Sequence, residues 1–147
     1  MRKRKRKMVK LKENNSDTDV LFKLLQTASE GLYYMSETDA EITPFVGETA
    51  KEVSKEEIMR QTETSPDKHI EERDFAKMFE RLTNIQNWFG EEETATVAKF
   101  VALKEILEKN LKDLKVFKIG KIELDIYFVG LDTESVLIGI KTKAVET

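Results

Sequence analysis

At 147 residues, with 39% hydrophobic and 36% charged side chains, the chain suits one domain with a sizeable buried core. The absence of cysteine excludes a disulfide framework, a thiol nucleophile and thiolate metal ligation, and no apolar run approaches the roughly 18 residues that a membrane-spanning helix needs. The net charge of −3 conceals an asymmetry: residues 1–12, "MRKRKRKMVKLK", hold 8 of the 25 Lys and Arg, leaving 17 basic against 28 acidic residues, a net of −11.

The basic arm, residues 1–15, reads as a disordered extension preceding a domain at 16–147. It lacks the apolar stretch of a secretory signal, which points to an intracellular, cytoplasmic protein; a nuclear location is the alternative that "RKRKRK" raises. After "ENNSDT", the stretch "DVLFKLLQTASEG" places Val20, Leu21, Leu24, Leu25 and Ala28 on one helical face. Ser16 and Asp17 cap its start and Gly31 ends it. The segment "LYYMSETDAEITPFVGE" is too broken for a helix; Ile42, Phe45 and Val46 suggest a short strand, and Pro44 puts it near a sheet edge.

"SKEEIMRQT" opens as a capped helix, with Ser54 three residues before Glu57, and "TSPDKH" breaks it. "ERDFAKMFERLT" predicts a second short helix with Phe75, Met78, Phe79 and Leu82 on one side. The turn-like "NIQNWFG" carries the only Trp. A long helix over about 91–112 follows, with Val97, Phe100, Val101, Leu107 and Leu111 inward, acidic residues at its start and lysines near its end, as the helix dipole favours. Beyond it the period changes to two. "LKVFKIG", "KIELDIYFVG" and "SVLIGIKTKAV" read as three strands, with Ile122, Leu124, Ile126 and Phe128 on one face and Val136, Ile138 and Ile140 on another. "LDTE" is a hairpin loop. The order predicts an α+β domain with helices packed on a mostly antiparallel sheet.

Catalytic chemistry finds little support. His69, the sole histidine, lies in a polar stretch without an evident orienting partner and reads as a surface residue. No phosphate-binding glycine loop, nucleophile elbow or zinc-protease motif is present. The triple Glu at 91–93 has a sufficient explanation in the helix dipole, and Glu123 and Asp125 fall on outward strand positions. Binding finds more. A Trp such as Trp88 just before a helix is more often an edge-of-core packer, the alternative being an exposed interface anchor. Glu37, in a loop after a helix, is placed to meet a partner's Arg or Lys, although position alone favours a solvated turn residue. An acidic body should be repelled by nucleic acid and drawn to basic protein surfaces.

Four blocks in order carry a more specific signal: "ASEGLYYMSE" at 28–37, "NWFGEEETATVAKF" at 87–100, "NLKDLKVFKIGKIELDIYFVG" at 110–130 and "GIKTKAVET" at 139–147. With these blocks the chain, from about Leu21 to Thr147, resembles the nuclease A inhibitor family, inhibitors of sugar-nonspecific ββα-metal nucleases. The middle, roughly 40–86, matches loosely, and the basic arm has no counterpart. The resemblance implies a three-layer α/β/α sandwich of the pathogenesis-related protein 1 kind. It implies a non-catalytic, monomeric inhibitor with no cofactor of its own, binding a nonspecific nuclease 1:1. Thr147 would reach the nuclease's catalytic Mg²⁺ directly or through water, Glu37 would contact the active-site region, and Trp88 would pack at the interface. The other reading is a regulatory binding domain of the same fold with a different partner, which the basic arm keeps open.

Overall fold

The structure, a computed structural model, describes residues 16–147. The basic arm therefore lies outside the described residues. Four helices, α1 (Asp17–Ser29), α2 (Lys55–Gln61), α3 (Phe75–Thr83) and α4 (Glu91–Asn110), accompany seven strands. These are β1 (Tyr33–Met35), β2 (Asp39–Glu41), β3 (Thr43–Thr49), β4 (Ile70–Arg73), β5 (Lys112–Ile119), β6 (Glu123–Leu131) and β7 (Val136–Val145). Five strands form one sheet in the order β3-β7-β6-β5-β4, antiparallel throughout, while β1 and β2 pair as a separate hairpin. The expected α+β class is the observed one.

Helix starts follow local chemistry. The side chains of Ser16, Ser54 and Asp74 accept the N–H groups of Asp19, Glu57 and Lys77, satisfying donors that no helical carbonyl can reach. At α4, Gly90 donates its N–H to Glu93 Oε1 at 2.9 Å. Gly31 follows α1 at φ 78, a left-handed conformation that costs glycine little.

The sheet carries apolar side chains on both faces because its strands alternate between two cores. Ile126, Phe128, Ile138 and Ile140 face one cluster with Leu21 and Leu25 of α1, Phe75 and Phe79 of α3, and Phe100, Leu103 and Leu107 of α4. Phe117, Val129, Leu131 and Leu137 point the other way, against Ile58 of α2 and Val53. Three helices thus cover one face and the short α2 covers part of the other. Phe79 packs edge-on to Phe128, ring centroids 5.4 Å apart at 73°, a favoured aromatic geometry.

Pro44 does sit in an edge strand. β3 pairs only with β7, and its free side is partly sealed by Gln61 of α2: Glu48 donates its N–H to Gln61 Oε1 at 2.7 Å, and Gln61 Nε2 donates to the Glu48 carbonyl at 3.2 Å. A side-chain amide takes the place of a neighbouring strand, which protects an edge from unwanted pairing.

Some expected inward residues face solvent. Val20, Leu24 and Val101 lie outside the stripe that α1 and α4 bury, and Ile122 belongs to the β5–β6 turn rather than to a strand face. The β1–β2 hairpin forms strands where the sequence suggested a loop, and β4 takes Glu72 and Arg73, expected at the start of the short helix, so α3 begins only at Phe75.

Candidate functional site

Glu37 occupies the turn of the β1–β2 hairpin, not a loop following a helix directly. The hairpin is fastened to the sheet through β7. Thr142 Oγ1 lies within hydrogen-bonding distance of the Ala40 and Glu41 carbonyls (3.2 and 3.0 Å), and Ile42 donates its N–H to the Leu32 carbonyl at 2.9 Å. At the turn, Glu37 donates its N–H to the Val145 carbonyl at 3.2 Å, while Val145 donates its own N–H to Ser36 Oγ at 3.1 Å. The hairpin tip and the end of β7 are therefore stitched together by backbone geometry.

That stitching brings two of the three candidate residues into contact. Thr147 donates both its backbone N–H and its Oγ1 hydroxyl to the same oxygen, Glu37 Oε2, each at 2.7 Å. The Thr147 hydroxyl, followed by its N–H, holds the Glu37 carboxyl below the usual carboxylate range, because both donors favour the charged form. Both residues are exposed. One Glu37 oxygen is engaged by Thr147, and the other oxygen and the Thr147 terminal carboxylate make no hydrogen bond within the described residues. Carboxylate oxygens in such a cluster suit a guanidinium or a hard divalent cation.

Trp88 stands on a neighbouring part of the surface. It is 74% exposed, which corrects the expectation of an edge-of-core packer: the turn between α3 and α4 carries the indole over the helix ends rather than between them. Its ring meets Phe89 edge-on, centroids 4.6 Å apart at 84°. Together they form one wall of a cleft of about 540 Å³ that also takes Leu82 of α3, Phe100 of α4, and Tyr33 and Met35 of β1. Met35 is 65% exposed and precedes Glu37 by two residues, so β1 joins the apolar cleft to the acidic end. Tyr33 and Met35 were not among the residues singled out from the sequence. The available signal was the two-residue period in "LYYM", where Leu32 and Tyr34 turn inward and Tyr33 and Met35 outward.

Other candidates remain apart. His69 is exposed, with Nε2 3.5 Å from Glu71 Oε2. Asp125 pairs with Lys143 at 2.8 Å on an open strand face. Among the described residues, no group of three or more His, Asp or Glu side chains is arranged to hold a metal ion, and no helix is long and apolar enough to cross a membrane.

The class that this fold defines is an α+β protein built on one antiparallel five-stranded sheet. The chain belongs to the nuclease A inhibitor-like protein family, whose model matches residues 19–147. The general role of that family is inhibition of a nuclease, a protein-binding task without turnover. A search of curated proteins finds no match.

Proposed function

We propose that this protein inhibits a sugar-nonspecific, Mg²⁺-dependent endonuclease of the ββα-metal class, binding 1:1 and closing its active site with Thr147. The observation that carries the reading is the pairing of Thr147 with Glu37 through two 2.7 Å hydrogen bonds. It holds a terminal carboxylate and a side-chain carboxylate side by side on a fixed edge of the fold. A nuclease active site binds phosphate through cationic side chains and a hard metal ion. Glu37 would meet an arginine that normally holds phosphate. The Thr147 carboxylate would approach the partner's Mg²⁺ directly or through one water, since Mg²⁺ takes oxygen ligands and retains part of its hydration. Trp88 would supply the apolar anchor, a residue type enriched where interfaces concentrate their energy.

Preorganisation is the physical advantage. A free carboxylate on a fraying end would lose chain entropy on binding, whereas one on a residue already held by Glu37 loses less. The test is a titration of a Mg²⁺-dependent ββα-metal nuclease, with DNA cleavage as the readout. Cleavage should vanish at equimolar inhibitor, and deleting Thr147 or adding a few residues after it should restore most of the activity while the variant still shows a single cooperative melting transition. Undiminished inhibition by both variants would remove Thr147 from the mechanism.

A further inference from the structure

The last ladder position of β7 is Val145, opposite Glu123, so Glu146 and Thr147 lie past the sheet. Glu146 is nevertheless held from two directions. Its N–H donates to the Ile122 carbonyl at 2.9 Å, and its carboxylate receives Lys118 Nζ at 2.8 Å. Lys118 belongs to β5, and β6 lies between β5 and β7, so the lysine reaches across a full strand to the residue beyond β7. The Lys118 side chain is only 11% exposed and that of Glu146 37%. A pair so shielded is weakly screened by salt, and either member without the other would be costly. The Lys143–Asp125 pair has the same 2.8 Å separation but side chains 79% and 50% exposed, the kind of surface pair that contributes little.

Charge makes the placement more informative. Glu146 and the terminal carboxylate belong to adjacent residues, and Glu37 is hydrogen-bonded to the second of them, so this end of the fold gathers negative charge, and like charges at short range repel. Lys118, largely buried, neutralises Glu146 and leaves Glu37 and the terminal carboxylate without a cationic partner among the described residues.

We propose that Lys118 is a positioning residue for the C-terminal carboxylate. By anchoring Glu146 it fixes the direction in which Thr147 leaves the sheet, and it offsets the repulsion that would otherwise push Thr147 away from Glu37. The consequence for inhibition rests on the reading of Thr147 as the inhibitory group; the positioning itself does not.

Two measurements on the full chain separate these claims. In the first, a broad-specificity carboxypeptidase is added to the folded protein and release of threonine is timed. Lys118→Met, which keeps the aliphatic stem, should release Thr147 about tenfold faster, as expected for loss of a charge-assisted hydrogen bond. Lys118→Arg should restore slow release, because the guanidinium can still hold Glu146. Ile58→Val, under α2 on the opposite face, lowers the melting temperature and should leave release unchanged. An unaltered rate in Lys118→Met, or equal acceleration in Ile58→Val, overturns the proposal. The second measurement is inhibition of a Mg²⁺-dependent ββα-metal nuclease. Lys118→Met should inhibit about tenfold more weakly and Lys118→Arg normally. Faster release with undiminished inhibition would keep Lys118 as the clamp and overturn Thr147 as the inhibitory group.

Discussion

Replacing Trp88 with alanine separates binding from folding because most of the indole is uncovered. A tryptophan side chain offers about 250 Å². With 74% of the residue exposed, about 185 Å² is available for a partner to cover. Complete burial at about 25 cal/mol per Å² would contribute about 4–5 kcal/mol. Ordering the side chains at the contact offsets about 0.5–1.5 kcal/mol, and cover is seldom complete, so truncation should cost about 2–3 kcal/mol. That is about a 30- to 150-fold rise in Kd. The fold loses little, since a substitution at an exposed position stays within about 0.5 kcal/mol, or about 2 °C in Tm. Isothermal titration of the nuclease with native and Trp88→Ala protein gives the first number, and thermal denaturation of the free inhibitors gives the second. A Tm lowered by about 8 °C with Kd unchanged would show that the indole supports the core and leave the interface without this anchor.

Four further expectations concern charge, packing and the basic arm. Glu37 has a depressed folded-state pKa, so the stability it contributes is present above the ordinary glutamate value of 4.5 and is lost as pH falls through its lowered folded value. Deleting Thr147 should raise the Glu37 titration midpoint toward 4.5, readable by carboxyl-carbon NMR; an unmoved midpoint would mean that the Thr147 contact does not persist in solution. Gly139→Ala should destabilise by about 3 kcal/mol or more, lowering Tm by about 6–12 °C, because a methyl group there would collide with the Phe128 carbonyl inside the sheet. Finally, residues 13–147 carry a net charge of −11, so the association rate with a basic nuclease should fall steeply with salt in stopped-flow measurements. Removing residues 1–12 should leave inhibition intact.

The elements that could be read from the sequence were those whose burial repeats along the chain. α3 shows Phe75, Met78 and Phe79 at helical spacing, and β6 alternates Leu124, Ile126 and Phe128 toward one core. β4, "IEER", exists because β5 offers it a backbone ladder from Ile70 to Arg73, and hydrogen bonds between main chains leave little trace in side-chain pattern. The same reason hides β2, while β1 left only the short alternation in "LYYM". Val20 and Leu24 misled because a stripe drawn on one helix does not show how wide a strip its neighbours cover. At the site, Glu37 and Thr147 meet across 110 residues, so no local spacing could join them; only the four-block resemblance named them together. The exposure of Trp88 depends on how the turn after α3 leaves the core, which composition does not encode.

The place of β7 also has a consequence in time. It is the last strand in sequence yet lies between β3 and β6, so before it is made the sheet exists as separate pieces. Synthesis proceeds from the N-terminus at roughly 5–20 residues per second. Until the segment from Val136 onward leaves the ribosome, β3 has no strand to pair with and β6 has an open edge. A nascent chain interrupted earlier lacks Thr147 and is also unable to close its sheet, which leaves it to chaperones and proteases. If Thr147 is the inhibitory group, quality control on folding is also quality control on that residue, and copies truncated before β7 would be removed rather than accumulate.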